Sequence, residues 1–435
     1  MISRIALFSF ALLAFSGVVH ADEPKPVESL PALVETALAN NPEVKATAAH
    51  LQMLENKAEQ AGRLEDPMLM LKIQNGVLAD PLNFKRDSMT QKVIGISQQL
   101  PWYGKRKLRR EVAVREALAS HLLRQERILE IARMVRETYY QIWFTDKSLE
   151  ILAKNIRIMD DFITLAETRY SVGQGAQQDI FKAQLERSRM LEMRITLEQQ
   201  RLGLEIRMNT LLYRPVETRI GSIPEPELAN LKQTTVELQG LAEKNRPLLK
   251  GMLAQIEKSE AASALGKKEY YPDFTVSFEY MQREPAMGSD GSDMYSLGVT
   301  FNLPFQRERR HAMLAESESE RTMALAELND AKNTIKSGIA DLLSQMERRR
   351  RLVELYKTGI IPQAEQALES AVIGYRVGKI DFLTLLDSRL TLFNNEREYY
   401  DSLADHQMKL AQLEALVGTD LATANATADN RHQHK

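Results

Sequence analysis

The sequence predicts a mixed α/β membrane protein. A long α-helical coiled coil joins four amphipathic β-strands, and the plan is written twice in one chain. Three observations predict it. Pro42 and Pro247, Pro67 and Pro272, Tyr170 and Tyr375, and Gly173 and Gly378 are each 205 residues apart, while Gly95/Gly298 and Pro101/Pro304 are 203 apart. A spacing held from end to end marks an internal duplication. Residues 105–170 contain neither proline nor glycine and carry apolar residues in steps of three and four. Four short segments alternate apolar with polar residues, the period of a strand with two unlike faces.

Bulk properties narrow the class. The chain has 435 residues and a net charge of -2, so no basic excess argues for nucleic acid. Residues 1–21 read as a secretory signal peptide: Arg4, the apolar core "IALFSFALLAFSGVV", and the small-x-small site Val19-His20-Ala21. That core is about 15 residues, shorter than the roughly 20 needed to span a bilayer. The mature chain is expected to start at Asp22. Cysteine is absent, which excludes disulfides, thiolate metal sites, a cysteine nucleophile and lipid attachment at an N-terminal cysteine.

The elements follow in order. The first repeat, 22–213, is expected to hold an opening helix, strands near 68–75 and 89–100, a long helix near 103–170, a turn, and a return helix near 177–213. The stretch 214–233, "RPVETRIGSIPEPELANLKQ", is rich in proline and polar residues and reads as the linker. The second repeat, 234–418, is expected to place strands near 272–281 and 293–303, a long helix near 305–373 and a return helix near 381–417. Residues 419–435 read as a flexible tail. In the first long helix Ile128, Ile131, Val135, Ile142, Leu149, Leu152, Ile156 and Met159 form a heptad seam with lapses at Thr138 and Thr145. A helix of about 65 residues would run ~100 Å, too long for an ordinary globule.

In the strands Leu69, Leu71, Ile73, Ile94, Ile96, Phe274, Val276, Phe278, Leu297 and Val299 share the apolar phase. That is the dyad pattern of a barrel strand facing lipid. A half-buried soluble sheet gives the same pattern. If the strands are in a membrane they must be pooled between chains, because closure takes about eight or more.

Strand exits carry their own signals. Pro101 ends strand pairing, and Trp102 and Tyr103 suit an interfacial aromatic girdle. Lys105, Arg106, Lys107, Arg109 and Arg110 crowd the start of a helix, the wrong end for cations. Arg307, Arg309 and Arg310 do the same after Pro304. Two readings are open: anionic lipid headgroups, or a solvated face with carboxylate neighbours. Both long helices end in Tyr-x-Val-Gly, at Tyr170–Gly173 and Tyr375–Gly378, where a glycine suits the left-handed turn after a helix.

With its duplication, strand pairs, Leu-Pro at each strand exit and Tyr-x-Val-Gly turns, the chain resembles the TolC-like outer-membrane efflux family over 30–418. The stretch "QQLPWYGKRKLRR" is most similar to the heavy-metal-export branch. The resemblance implies a homotrimer, each protomer giving four strands to a twelve-stranded transmembrane β-barrel and its helices to a coiled-coil barrel. It implies the bacterial outer membrane, extending into the periplasm. It also implies the role of exit duct in a tripartite efflux system, with a periplasmic adaptor (membrane fusion) protein, an inner-membrane pump and outer-membrane lipid as partners. Heavy-metal cations are one candidate cargo.

The resemblance further implies a periplasmic gate. Tyr375 would bond Asp179, and Thr384 and Asp387 fall where the family has two aspartates lining the aperture. Ile380 stands where the family has an arginine. Asp387 could instead complement the helix dipole, and Asp179 could be an N-cap.

The rival architecture is a soluble periplasmic coiled-coil scaffold without a pore. An enzyme is not indicated: seven scattered histidines form no catalytic set, and no cofactor or metal site is read. His432 and His434 in the tail are too few for a closed metal site.

Overall fold

The structure is a computed structural model that describes residues 29–229 and 231–421. The expected signal peptide and the tail histidines His432 and His434 lie outside the described residues.

The first half runs α1 (Leu30–Asn40), α2 (Pro42–Ala61), β1 (Met68–Gln74), β2 (Gln91–Leu100), α3 (Lys105–Ser171) and α4 (Gln177–Leu212). The second runs α5 (Thr235–Asn245), α6 (Pro247–Lys268), β3 (Phe274–Arg283), β4 (Met294–Phe301), α7 (Arg307–Leu355), a π-helical segment (Tyr356–Ile360), α8 (Ile361–Arg376) and α9 (Phe382–Val417). Local chemistry sets the boundaries. Pro42 and Pro247 begin α2 and α6, where a missing N–H costs nothing. Asn41 caps α2 by accepting from the Glu43 amide, and Thr234 and Glu237 form a capping box on α5.

α3 has 67 residues, ~100 Å of helix at 1.5 Å per residue. It begins at Lys105, two residues later than the sequence suggests, because Gly104 at φ 90 turns the chain out of the strand exit. Along its length α3 packs on α2, α4, α6 and α9, while α7 packs on α6 and α9. The core is therefore a set of narrow seams. One lines the far end of the hairpins with Leu152, Met159, Phe162, Ala183, Met190, Tyr375, Phe382 and Leu385. A second joins α5, α6, α7 and α9, and a third joins α1, α3 and α4. The heptad lapses Thr138 and Thr145 are fully buried, and their hydroxyls donate to the carbonyls of Met134 and Gln141 at 2.8 Å. A satisfied hydroxyl can occupy a seam position.

The second long helix departs from the expected uninterrupted 305–373. It opens into a π turn at Tyr356–Ile360 and resumes as α8. Pro362 is the physical reason: it has no N–H to donate back and its ring crowds the preceding turn.

The four strands form one antiparallel sheet in the order β1-β2-β3-β4. Registers align the two halves: Leu69 opposes Ile96, Ile96 opposes Phe278, and Phe278 opposes Leu297. β1 and β4 are left as edges.

Candidate functional site

Two places on this frame hold the residues of interest, the sheet with its helix-side rim and the two hairpin turns. Strand alternation and register put Leu69, Leu71 and Ile73 with Ile94 and Ile96, Phe274, Val276, Phe278 and Tyr280, and Leu297 and Val299 on one face. Leu71 and Leu297 are each 72% exposed, and Leu69, Ile73, Ile94, Ile96, Phe278 and Val299 are also exposed. Phe274 and Val276 are half-buried. The opposite face carries Lys72, Ser97, Gln99, Thr275, Ser277, Glu279 and Ser296, with Gly95 packed between Met70 and Glu279. A predominantly apolar face, interrupted by Lys92 and Gln98 of β2, on a four-stranded sheet with two free edges needs a cover and cannot close on itself.

The helix-side rim corrects one expectation. Lys105 does not reach for a headgroup. It is completely buried, with Nζ 2.8 Å from Asp273, 3.1 Å from Glu269 and donating to the Tyr271 carbonyl at 3.0 Å. Arg106 forks onto the Gly62 carbonyl at 3.0 and 2.9 Å. Arg109 pairs with Glu269 at 3.6 Å, and Arg310 donates to the Glu269 carbonyl at 2.6 Å. The partners of the misplaced cations are thus acids and carbonyls that precede β3 or end α2. Asp273 also accepts from the Trp102 amide at 2.8 Å, and Trp102 stacks on Tyr271 with centroids 5.4 Å apart. Tyr103 remains 90% exposed beside this rim, and Pro304 closes the other strand exit.

At the far end, the two turns share one backbone. Gly173 and Gly378 sit at φ 72 and 74, the left-handed region. Gly173 N donates to Tyr170 O at 3.0 Å and Gln174 N to Arg169 O at 2.8 Å; Gly378 N donates to Tyr375 O at 3.1 Å and Lys379 N to Gly374 O at 2.9 Å. Side chains then diverge. Tyr170 is 47% exposed, whereas Tyr375 is 2% exposed and lies edge-on to Phe382. The Tyr375 hydroxyl is buried without a well-formed hydrogen bond. Burial first, and then the nearby Asp179 charge, raise its pKa above the ordinary phenol value, while Arg169 pulls the other way. Asp179 is half-buried in the first turn of α4, but the N-cap of that helix is Ala176.

On α9, Asp381 is the N-cap. It accepts from the Thr384 amide at 2.8 Å and the Thr384 hydroxyl at 2.6 Å, and these bonds hold its carboxyl below the usual range. Asp381 is thereby committed to the cap, and Thr384 to Asp381. Asp387, one turn on, is exposed.

Sequence reasoning missed three residues. Arg169 reaches from the first turn to Tyr375, with its guanidinium 4.6 Å from the ring centroid. Arg389 is 3% exposed in the hairpin seam and donates to Asn155 at 2.8 Å. Burial lowers its pKa, with Glu396 opposing. Asp273 answers Lys105. The only sequence signals were a charge at a seam phase for Arg389 and an acid beside Pro272 for Asp273. Among the described residues, no three His, Asp or Glu side chains gather to hold a metal ion, and no helix is long and apolar enough to cross a membrane.

This geometry has relatives. The family model described as outer membrane efflux protein matches residues 33–212 and 238–419, one match per repeat. The chain belongs to the outer membrane efflux protein family. It is 23% identical over 398 residues to the cobalt-zinc-cadmium resistance protein CzcC of Cupriavidus metallidurans, covering 90% of each chain. It is also 23% identical over 412 residues to the pyoverdine export outer membrane protein OpmQ of Pseudomonas putida, covering 88% of this chain and 83% of that one. In fold it is similar to the outer membrane protein VceC of Vibrio cholerae, with TM-score 0.76, 19% identity and coverage of 90% and 96%. The transmembrane channel protein CusC matches with TM-score 0.76, 14% identity and coverage of 90% and 92%. The fold is that of TolC-like channels, and this outer membrane efflux protein is placed in the outer membrane with its helices extending into the periplasm.

Proposed function

We propose that this outer membrane efflux protein is the exit duct of a tripartite efflux system. Three copies pool their sheets into a twelve-stranded barrel with Leu69, Leu71, Ile73, Ile94, Ile96, Phe274, Val276, Phe278, Leu297 and Val299 toward lipid. The helices form the periplasmic tube, which meets an adaptor and an inner-membrane pump. The observation that carries the reading is the sheet: one predominantly apolar face interrupted at Lys92 and Gln98, one more polar face, and two free edges on top of a helix of ~100 Å. Pro101, Trp102, Tyr103 and Pro304 mark the rim at the membrane interface.

The hairpin turns are the periplasmic gate. Tyr375 and Asp179 close it, and Asp387 faces the aperture without a second aspartate at Thr384. A ring of three Asp387 carboxylates attracts cations. Heavy-metal cations are the proposed cargo, in line with the relative named for cobalt, zinc and cadmium resistance.

The purified protein in planar lipid bilayers is the test. A heat-sensitive trimer that conducts ions is expected; a carbonate-extractable monomer without conductance would favour the soluble scaffold. For cargo, cells lacking the protein should become sensitive to cobalt, zinc and cadmium, and unchanged tolerance would remove the metal reading.

A further inference from the structure

We propose that Arg169 is the clasp that joins the two hairpin turns within one protomer and so holds Tyr375 in its closed position. The inference rests on the channel reading above for its consequence in conductance, but not for the clasp itself.

Four observations converge on this one side chain. Its Nη1 donates to the Tyr375 carbonyl, across 206 positions of sequence. Its Nη2 donates to the Gln174 carbonyl of its own turn at 3.0 Å. Its guanidinium covers the Tyr375 ring at 4.6 Å. Room for it is kept by two glycines: a Cβ at Gly378 would stand 3.3 Å from Nη2, and one at Gly175 would stand 3.1 Å from the Arg169 Cβ.

The chemistry suits arginine and no other cation. One planar fork bonds a carbonyl in each turn while its face lies on an aromatic ring. The Tyr375 carbonyl also accepts from the Gly378 amide at 3.1 Å, so the clasp grips the atom that organises the second turn. Among the described residues no counterpart reaches in the other direction. The residue equivalent to Arg169 in the second half is Gly374 (374 − 169 = 205), where a Cβ would stand 3.4 Å from the Ile380 side chain. The clasp is therefore one-sided: the first turn holds the second. The second turn cannot swing away without breaking the Arg169–Tyr375 stack and hydrogen bond together. Arg169 is a positioning residue, since it acts on the aperture through Tyr375.

The cysteine-free chain makes the test clean. Val172 and Val377 are both 63% exposed, one in each turn, and take nitroxide labels as Val172→Cys and Val377→Cys in protein diluted with unlabelled chain. Arg169→Met should lengthen and broaden the label distance by several ångströms and raise bilayer conductance several-fold. Arg169→Lys keeps the charge without the fork and should restore only part of both. An unchanged distance in Arg169→Met overturns the clasp, as does full restoration by lysine. If Arg169→Met fails to assemble, the same distance comparison is made with Arg169→Lys. A longer distance with unchanged conductance overturns its role in gating. If the unsubstituted protein forms no channel while the label distance still depends on Arg169, the channel reading falls and the clasp stands.

Discussion

The two halves of the molecule build the same hairpin to different purposes. Tyr170 and Tyr375 occupy equivalent places on equivalent backbones, with glycines at φ 72 and 74 and matching turn hydrogen bonds. Tyr170 faces outward, and Tyr375 is sealed beneath Arg169 and against Phe382. The helices leading to them differ as well: α3 is continuous for 67 residues, whereas the second is split by a π turn. Duplication therefore conserves backbone geometry more strictly than the environment of any side chain. After copying, one turn became the holder and the other the held.

The strongest way to break this contrast lies at the other end of the hairpins, where the first half has a buried latch and the second does not. Lys105→Ala strands Asp273 and Glu269 without their buried cation and should cost about 3–5 kcal/mol in denaturant unfolding. Arg310→Ala, at the half-exposed equivalent rim, should cost under about 1 kcal/mol. Equal losses would mean that Lys105 is not the latch.

Tyr375→Ala empties a sealed aromatic site and should cost about 3–4 kcal/mol by the same measurement. Tyr170→Ala, at its exposed twin, should stay within about 0.5 kcal/mol. Comparable values for the pair would erase the distinction between the turns.

Gly378→Ala and Gly173→Ala both pay for a left-handed residue, about 1–2 kcal/mol each. The Gly378 change should be the larger, because its new methyl group meets the Arg169 guanidinium while the space around Gly173 is open. A larger loss at Gly173 would count against the crowding by Arg169.

The last contrast is a pH dependence carried by His406 in the second half. Burial and then the Arg350 charge depress the His406 pKa from 6.5 to about 4, opposed by Asp405 and Glu347. The folded protein keeps this imidazole neutral while the unfolded chain protonates it. Stability from this group is full above 6.5 and is lost as the pH falls toward about 4. His406→Gln should flatten melting temperature over that window; an unchanged slope would assign the acid sensitivity to other groups.

Much of this was legible in the sequence because periodicity encodes it. The strand phase of Leu69, Ile94, Phe278 and Leu297 reads as alternation, and the seams of α3 read as steps of three and four. The left-handed turns read from Gly173 and Gly378. The role of Lys105 stayed open because its answer, Asp273, lies 168 positions away (273 − 105 = 168), and a charge at a helix start looks the same whether its partner is lipid or protein. Arg169 was invisible for a similar reason. Nothing near position 169 shows that a tyrosine ring from the other repeat will lie beneath it. The N-cap role of Asp381 is visible only in its bonds to Thr384.

The π turn absorbs part of a mismatch in length between the repeats. From Pro101 to Tyr170 is 69 residues, but from Pro304 to Tyr375 is 71 (170 − 101 = 69; 375 − 304 = 71). Each residue added to a regular helix rotates everything beyond it by roughly 100°. A surplus residue carried along a regular helix shifts the phase of the residues beyond it. A π turn holds roughly one residue more than an α turn. The segment Tyr356–Ile360 thus works as an expansion joint that takes up about one of the two surplus residues.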